Sequence, residues 1–258
     1  MEDIRILFFD IDGTLVDPKT GRISDKTAEA IGRLRARGKK VCIATGRPTA
    51  SLPDLGGFSI DAFCTFNGSL CYTESEIIHS DPIAPQDVDI ILENAATIGR
   101  PVSLAVRNRL VANGFDQDLA DYYALAGLTL TADPNFEEAC REDVYQIMLG
   151  CRKSDHDTIV QDAQGVKVAV SWDRAVDIIP VGSGKGSAIA KILTYFGLNP
   201  SQAMAFGDSY NDVEMLQAVG TGVAMGNAPD ELKAVADAVC RPVSEDGIFH
   251  YCLEHDLI

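Results

Sequence analysis

Short runs of apolar residues that stop at a polar or glycine-containing turn recur along this 258-residue chain and constrain its fold more than any other feature. Within these runs apolar and polar residues do not alternate, which is the pattern of strands buried on both faces of a parallel sheet. Segments with helical spacing lie between them, and this alternation predicts an α/β fold with a Rossmann-like parallel-sheet core. The predicted core strands cover residues 6–9, 41–44, 62–66, 203–206 and 222–225.

The intervening helices carry recognisable start and stop signals. The clearest helix covers residues 25–37, where Ser24 can cap the first turn and Gly38 can end the last one. A serine hydroxyl accepts hydrogen bonds from the free amides of a helix N-terminus, and glycine adopts the left-handed conformation that ends many helices. Further core helices are predicted at residues 187–196, 211–219 and 229–236.

The middle of the chain, residues 84–181, has a looser pattern in which the strand pairs resemble antiparallel hairpins. Proline and glycine residues flank it on both sides. We therefore expect an inserted α+β domain at residues 84–181 within a core formed by residues 1–83 and 182–258. Its predicted helices cover residues 86–98, 116–126 and 154–162, and its predicted strands cover residues 102–106, 109–112, 144–150, 166–171 and 175–179.

A polar residue stands at or just beyond the end of every predicted core strand. Because ligands of open α/β sheets bind beyond the carboxyl ends of the strands, these residues indicate a single cleft. They are Asp10, Thr45, Asn67, Asp208 and Asn227.

Two aspartates lie two positions apart directly after the first predicted strand. In an extended segment Asp10 and Asp12 share a face, and Gly13 lets the chain turn around a ligand. Two carboxylates this close need a cation for both to be ionised. An EF-hand loop is excluded, because its third acidic residue before the glycine is missing. The pair therefore predicts a catalytic or metal-binding function.

A second group of oxygen ligands follows the strand at residues 203–206. Asp208, Asn211 and Asp212 offer the hard oxygen atoms that suit Mg²⁺. Lys185 stands at a glycine-rich entrance to a predicted helix, where anions bind well, although the spacing is not that of a Walker A loop. Thr45 can donate a hydroxyl hydrogen to a phosphate oxygen.

Charge and composition exclude several classes of partner. With 22 Lys and Arg against 38 Asp and Glu, the formal net charge is −16, which argues against nucleic-acid binding. We expect no membrane span, because the apolar runs are far shorter than about 18 residues. We expect no signal peptide, because Glu2 and Asp3 precede Arg5 and the first apolar run stops at Asp10. The odd, scattered set of 7 cysteines predicts reduced, buried thiols and a cytoplasmic location.

Taken together, these segments resemble the haloacid dehalogenase (HAD) superfamily. The order and strand-end placement of four motifs match it: residues 10–16, Thr45, Lys185 and residues 207–212. The insertion lies between the second and third motifs, as in the subgroup with a large α+β cap. Four further segments are similar to the Cof-type sugar-phosphate phosphatases, namely residues 45–48, 67–68, 185–186 and 222–228.

The resemblance implies a catalytic role for each of the first two aspartates. Asp10 would be the nucleophile that forms an aspartyl-phosphate, and Asp12 would protonate the leaving alcohol and then deprotonate the attacking water. Transport ATPases of the superfamily carry Lys and Thr where this chain has Ile11 and Asp12. An acid–base residue at this position implies rapid turnover, as in a phosphatase or a mutase.

The resemblance also implies a metal and a set of phosphate donors. Mg²⁺ would be held by the Asp10 carboxylate, the Asp12 main-chain carbonyl and Asp208, with Asp212 in support. The substrate would be a small phosphorylated metabolite whose phosphoryl oxygens meet several donors. These are the Ile11 amide, Thr45, Gly46, Lys185 and Asn211.

The predicted function is thus a Mg²⁺-dependent phosphatase for small phosphorylated metabolites, with sugar phosphates as the expected class. A phosphohexose mutase and a catalytically idle phosphate-ligand sensor are the alternatives, and the acid–base residue Asp12 argues against the sensor. The basic residues of the predicted cap are too scattered to decide on a mutase. Motifs identify neither the substrate nor the oligomeric state; Tyr145, Trp172 and Asp177 are candidate cap residues facing the cleft.

Overall fold

The computed structural model describes residues 4–170 and 172–258 and contains two β-sheets. The strands are β1 (Ile6–Phe9), β2 (Lys40–Ala44), β3 (Ala62–Thr65), β4 (Leu70–Tyr72), β5 (Ile77–Ser80), β6 (Val102–Val106), β7 (Arg109–Ala112), β8 (Val144–Gly150), β9 (Val166–Ala169), β10 (Ala175–Pro180), β11 (Ala203–Gly207), β12 (Thr221–Ala224) and β13 (Ala238–Val239). The helices are α1 (Asp25–Ala36), α2 (Pro85–Thr97), α3 (Gln117–Leu125), α4 (Phe136–Ala139), α5 (His156–Ile159), α6 (Lys185–Phe196), α7 (Val213–Gln217), α8 (Asp230–Lys233) and α9 (Gly247–Glu254).

The larger sheet has 8 strands in the order β13-β12-β11-β1-β2-β3-β4-β5. Its pairs from β13 to β3 are parallel, which agrees with the predicted parallel-sheet core. Strands β4 and β5 extend it through antiparallel pairing, so the complete sheet is mixed. The predicted α/β class is confirmed.

Strand β1 lies in the middle of this sheet and is buried on both faces. Leu7 and Phe9 pack towards α1 and α9, whereas Ile6 and Phe8 pack towards α6. Each side chain of the strand therefore reaches an apolar layer, and this explains why the run does not alternate between apolar and polar residues. The rigid central strand fixes the position of Asp10, which directly follows it.

The start of α1 and the end of α6 follow the predicted signals, whereas α7 and α8 are shorter than the helices predicted at residues 211–219 and 229–236. The Ser24 hydroxyl accepts a hydrogen bond from the Thr27 amide across 3.1 Å, and α6 ends at Gly197 in the left-handed conformation. The helix predicted at residues 154–162 is wrong in length, because α5 covers only His156–Ile159 after a 3₁₀ turn. The chain turns soon after α5, where Asp162 has φ 64°.

The smaller sheet has 5 strands in the order β7-β6-β8-β10-β9, and all of its pairs are antiparallel. The predicted strand at residues 166–171 ends at Ala169, and its last position, residue 171, lies outside the described residues. All strands of this sheet come from the predicted insertion, residues 84–181. Its boundaries stay a prediction.

All 7 cysteines are free, in agreement with the prediction of unpaired thiols. Among the described residues, none of the helices combines the length and the apolar character that crossing a bilayer requires.

Candidate active site

Three carboxylates converge beyond the carboxyl ends of β1 and β11. Asp10, Asp208 and Asp212 each place a carboxylate oxygen within 4.8 Å of the others. The Asp10 amide donates to the Phe206 carbonyl across 3.0 Å, so the pairing of the two strands continues up to the cluster. This geometry agrees with the prediction that the ends of these two strands lie close together.

A buried ammonium group faces this acidic cluster. The Lys185 Nζ atom donates to Asp10 Oδ1 across 2.7 Å and to Asp212 Oδ1 across 2.6 Å. Burial opposes its charge, but the two carboxylates outweigh burial and raise the pKa of Lys185. This side chain is only 1% exposed, and it stays charged inside the protein because the two carboxylates stabilise its ammonium group.

The carboxylates carry more negative charge than the lysine can balance. Burial raises the pKa of Asp10 to about 7, with Lys185 opposing the rise. Burial and the charges of Asp10 and Asp212 raise the pKa of Asp208 to about 8. Three ionised carboxylates against one ammonium leave a deficit that a divalent cation would cancel. This donor set fits Mg²⁺, which prefers carboxylate oxygens.

The Asp208 side chain is held in place by the turn after β1. The Thr14 hydroxyl donates to Asp208 Oδ1 across 2.8 Å, and Asn227 Nδ2 lies 3.3 Å from Asp208 Oδ2. Gly13 has φ +83°, and a Cβ atom there would lie 2.1 Å from Asp208 Oδ2. A side chain at residue 13 would therefore displace the carboxylate from the cluster.

The contacts of Asp212 agree with a supporting position. Its Oδ2 atom accepts from the Asp208 amide across 2.9 Å and from the Ser209 amide across 3.0 Å, while Oδ1 accepts from Lys185. Both oxygens are therefore already engaged with protein donors. Asp212 orients the loop that carries Asp208 and holds the lysine.

The Asp12 carboxylate is not one of the three in this cluster and pairs with Arg47 instead. Arg47 donates from Nε to Asp12 Oδ2 and from Nη2 to Asp12 Oδ1, each across 2.7 Å. Its Nη1 atom also donates to the carbonyls of Ser51 and Ala126, across 2.8 and 3.1 Å. Sequence reasoning assigned no role to Arg47, although its place just after Thr45 at a strand end was a usable signal.

The predicted phosphate-binding residues lie at the same edge of the sheet. Thr45 is buried, and its hydroxyl oxygen accepts from the Arg47 amide across 3.1 Å. Asn211 Nδ2 donates to Asn67 Oδ1 across 2.9 Å, and the Asn67 side chain packs against Gly46. The Ile11 carbonyl accepts from three amides of the following turn, which holds the backbone in a tight loop directly after Asp10.

A cavity of about 280 Å³ separates this edge from the smaller sheet. It brings together six predicted site residues: Asp10, Asp12, Thr45, Gly46, Asp208 and Asn211. The other three, Ile11, Lys185 and Asp212, are buried and are not among its lining residues. Lys185 and Asp212 reach the site through their contacts with Asp10 and Asp208.

A polar network that no sequence motif predicts joins the two sheets. Asn67 Nδ2 donates to Asp177 Oδ2 across 2.9 Å and to Gln146 Oε1 across 3.2 Å. The Tyr122 hydroxyl donates to Asp177 Oδ1 across 3.0 Å. Burial raises the pKa of Asp177 to about 7, although the hydrogen bonds from Tyr122 and Asn67 oppose the rise. The sequence feature closest to this network is the Asn-Gly pair at residues 67–68. The same pair is common in ordinary turns, so it does not by itself predict a functional residue.

The three candidate cap residues have different surroundings. Trp172 lines the cavity. Tyr145 is buried, stacks on Phe66 with ring centroids 5.1 Å apart, and hydrogen bonds to Ser80. Asp177 is buried and, like Tyr145, is not among the residues that line the cavity.

Comparisons with known proteins give the same family throughout. The profile of the haloacid dehalogenase-like hydrolases matches residues 7–252. The chain is 32% identical over 262 residues to the putative phosphatase YkrA of Bacillus subtilis (strain 168), covering 99% of both chains. It is 30% identical over 241 residues to the HMP-PP phosphatase of Enterobacter sp. (strain 638), covering 89% of this chain and 87% of that protein.

A solved structure is similar over nearly the full length. The HAD subclass IIB sugar phosphatase BT4131 superposes with a TM-score of 0.91 at 30% identity, covering 98% of this chain and 100% of that one. The predicted membership of the Cof-type branch is confirmed. The acidic strand-end cluster, the separate antiparallel sheet and these relatives place the chain in the haloacid dehalogenase-like hydrolase family.

Proposed function

We propose that this protein is a Mg²⁺-dependent phosphatase that hydrolyses small phosphorylated metabolites through an aspartyl-phosphate on Asp10. Its relatives bear out the phosphatase class. The observation that carries the proposal is the set of three carboxylates around one buried ammonium, two of which, Asp10 and Asp208, line the cavity. The resemblance predicts that these metabolites are sugar phosphates.

The metal would be held by Asp208, the Asp10 carboxylate and the Asp12 main-chain carbonyl. When bound, Mg²⁺ supplies positive charge that lowers the repulsion between the anionic nucleophile and the anionic substrate. The Asp12 carboxylate is not part of the acidic cluster, which is compatible with a main-chain ligand at this residue.

The chain's own residues carry the chemical steps. An Asp10 oxygen attacks phosphorus, the bond from phosphorus to the alcohol oxygen breaks, and Asp12 gives its proton to that oxygen. A water molecule then loses a proton to Asp12 and attacks phosphorus, which releases phosphate and regenerates the Asp10 carboxylate. Lys185 holds Asp10 in position through its 2.7 Å contact throughout both steps.

The remaining donors would surround the transferring phosphoryl group. Thr45, Gly46 and Asn211 line the cavity beside Asp10, and the Ile11 amide follows Asp10 in the turn. Donors that point to where negative charge develops stabilise the transition state of phosphoryl transfer. Arg47 holds Asp12 in one orientation through its two hydrogen bonds.

The contacts of the cap arginines favour hydrolysis over the mutase reaction. A mutase must rebind a bisphosphate, which needs cations for a second phosphate. In the described chain, Arg100 pairs with Asp116 and Asp118, and Arg152 pairs with Asp118. Arg174 likewise pairs with Asp118. These guanidinium groups are neutralised by acidic neighbours, and none of them lines the cavity.

The test is turnover of p-nitrophenyl phosphate and a panel of phosphorylated metabolites with Mg²⁺. Release of inorganic phosphate from at least one of these compounds, and its loss in Asp10→Asn, is the expected result. Binding of inorganic phosphate without any turnover would instead identify an idle sensor. Product formation that depends on a sugar 1,6-bisphosphate would identify a mutase.

A further inference from the structure

We propose that Asn67 is a positioning residue, which holds the Asn211 amide for contact with the transferring phosphoryl group and ties that amide to the smaller sheet. This inference rests on the proposed phosphatase function, in which Asn211 is one of the phosphoryl donors. Asn67 is not among the residues that line the cavity. It therefore acts on the reaction through Asn211 and not by touching the substrate.

The backbone of Asn67 is anchored beside the residues that we expect to bind phosphate. Its amide donates to the Thr45 carbonyl across 3.1 Å. Its side chain packs so closely on Gly46 that a Cβ atom there would lie 3.0 Å from Asn67 Oδ1. Asn67 has φ 51° and ψ 31°, a left-handed conformation that asparagine adopts more readily than most residues. The main chain thus places a buried amide next to the phosphate site.

The contacts of the Asn67 side chain favour one orientation of its amide. Nδ2 donates to Asp177 Oδ2 across 2.9 Å and to Gln146 Oε1 across 3.2 Å, and both partners are buried. An amide nitrogen carries two hydrogens, so these contacts use both. Oδ1 then faces Asn211, whose Nδ2 atom donates to it across 2.9 Å. A flipped amide would bring oxygen against oxygen at both acceptors and nitrogen against nitrogen at Asn211.

The contact with Asn67 leaves Asn211 with one amide hydrogen for the phosphoryl group. Asn211 lies in the 3₁₀ turn Tyr210–Asp212 after β11 and lines the cavity together with Asp10. Its Nδ2 atom carries two hydrogens, of which Asn67 Oδ1 accepts one. An acceptor that holds the amide in place lets the other hydrogen meet developing negative charge without reorganisation, and donors prepared in this way lower the barrier.

The same contacts make the position of Asn211 depend on the smaller sheet. Asn67 lies between β3 and β4, whereas Gln146 and Asp177 lie in β8 and β10. Asp177 also accepts from the Tyr122 hydroxyl on α3 across 3.0 Å. Loss of one member of such a network leaves buried partners without a hydrogen bond. Asn67 is therefore a residue through which the smaller sheet reaches a phosphoryl donor of the larger one.

A double-mutant cycle between Asn67 and Asn211 tests this coupling, with p-nitrophenyl phosphate and Mg²⁺. Asn67→Gly removes the amide and keeps the left-handed backbone without strain. We expect it to lower kcat about tenfold, and Asn211→Ala to lower kcat by at least as much. In the Asn211→Ala background, Asn67→Gly should change kcat less than about twofold, because its route to the substrate is already gone. An unchanged kcat in Asn67→Gly, or independent losses that multiply in the double variant, would overturn the inference.

Asp162→Gly is the matched control for the backbone. Asp162 also has a left-handed conformation, with φ 64°, and lies exposed in the turn after α5. Its replacement should leave kcat within about twofold of the wild type. Absence of turnover of p-nitrophenyl phosphate and of the metabolite panel by the wild type would overturn the proposed function itself. An active wild type with a fully active Asn67→Gly would overturn this inference alone.

An exchange of two side chains covers the case in which Asn67→Gly does not fold. In Asn67→Asp/Asp177→Asn the introduced aspartate can still accept from Asn211, and the introduced asparagine can donate to it. Gln146 can rotate its amide to donate as well, so each partner keeps a hydrogen bond. Thermal unfolding checks that each variant folds. We expect the folded exchange variant to retain kcat within about threefold of the wild type, and a loss of tenfold or more would overturn the inference.

Discussion

The guanidinium group of Arg47 holds both carboxylate oxygens of Asp12, each across 2.7 Å, and also reaches the Ala126 carbonyl in the inserted segment. A forked donor of this kind fixes the plane of a carboxylate, which a single hydrogen bond does not do. Arg47 thereby joins the proposed acid–base residue to the end of α3. The orientation of Asp12 is thus tied to the placement of α3, whose residues line the cavity.

Arg47→Lys tests this positioning role. Lysine keeps the charge but cannot bind both oxygens in one plane, so we expect kcat to fall about 10- to 100-fold. The loss should be larger for an alkyl phosphate than for p-nitrophenyl phosphate, whose leaving group needs little protonation. Arg33→Lys is the control, because Arg33 makes an exposed pair with Glu29. Equal losses for the two substrates would contradict a role through Asp12.

Asp10→Asn should remove catalysis and keep the fold. Asparagine retains the shape and can still accept from Lys185, but it is no nucleophile towards phosphorus. We expect kcat to fall at least about 1000-fold, or about 4 kcal/mol of transition-state stabilisation. Steady-state kinetics and thermal unfolding measure the two effects, with Asp25→Asn on α1 as a control. Retention of more than about a thousandth of the activity would contradict the assignment.

Asp12→Ala should discriminate between leaving groups. A sugar phosphate or a benzyl phosphate leaves as an alkoxide that needs a proton, whereas p-nitrophenolate hardly does. In single-turnover experiments the deficit should therefore be larger for the alkyl phosphate. Hydrolysis of the aspartyl-phosphate should slow as well, and intact mass would then show a phosphoryl adduct. Equal deficits would leave Asp12 as a main-chain metal ligand alone.

Removal of the metal should stop turnover, because we expect Mg²⁺ to bind to the acidic cluster that contains Asp208. EDTA is expected to abolish activity and Mg²⁺ to restore it, whereas Ca²⁺ restores it poorly because it prefers longer bonds and more ligands. Mg²⁺ should also raise the melting temperature of the wild type but not of Asp208→Asn. The same Mg²⁺ titration on Asp25→Asn provides the control. Full activity in metal-free buffer would rule out the proposed role of Asp208.

Asp177→Asn should change how stability depends on pH. Burial raises the pKa of Asp177 to about 7 in the folded protein, whereas an unfolded aspartate titrates near about 3.9. Between these values the folded state binds more protons, so this residue lowers stability as the pH rises from about 4 to about 7. The variant should lose this pH dependence, which is at most about 1.4 kcal/mol of unfolding free energy per pH unit.

Urea unfolding of both proteins at pH 4.5, 6 and 8 would measure this difference. The other buried carboxylates are common to both proteins, so the difference between the two curves isolates Asp177. Parallel curves across this range would show that Asp177 does not titrate as its burial implies.

The strands and helices that the sequence patterns did not predict are short or lie at the edge of the fold. Strand β4 has 3 residues, and β5 is a partly exposed edge strand, so neither makes a run long enough to recognise. They nevertheless extend the core sheet, because β3 offers an open edge on which an antiparallel hairpin can pair. Helix α9 packs on α1 and was not predicted, although its apolar residues contribute to the core.

By itself, the sequence determined the features that depend on local chemistry. Apolar runs specified the buried strands, and the residues at their ends specified the cluster around Asp10 and Asp208, because parallel strands end at one edge of a sheet. The tertiary structure alone decided which distant groups meet: Arg47 with Asp12, and Asn67 with Asp177, 110 residues away. It also decided that apolar side chains of α3 and β8 line the same cavity as Asp10 and Asp208. Such contacts depend on how the inserted sheet lies over the core, and no periodicity of the chain records that placement.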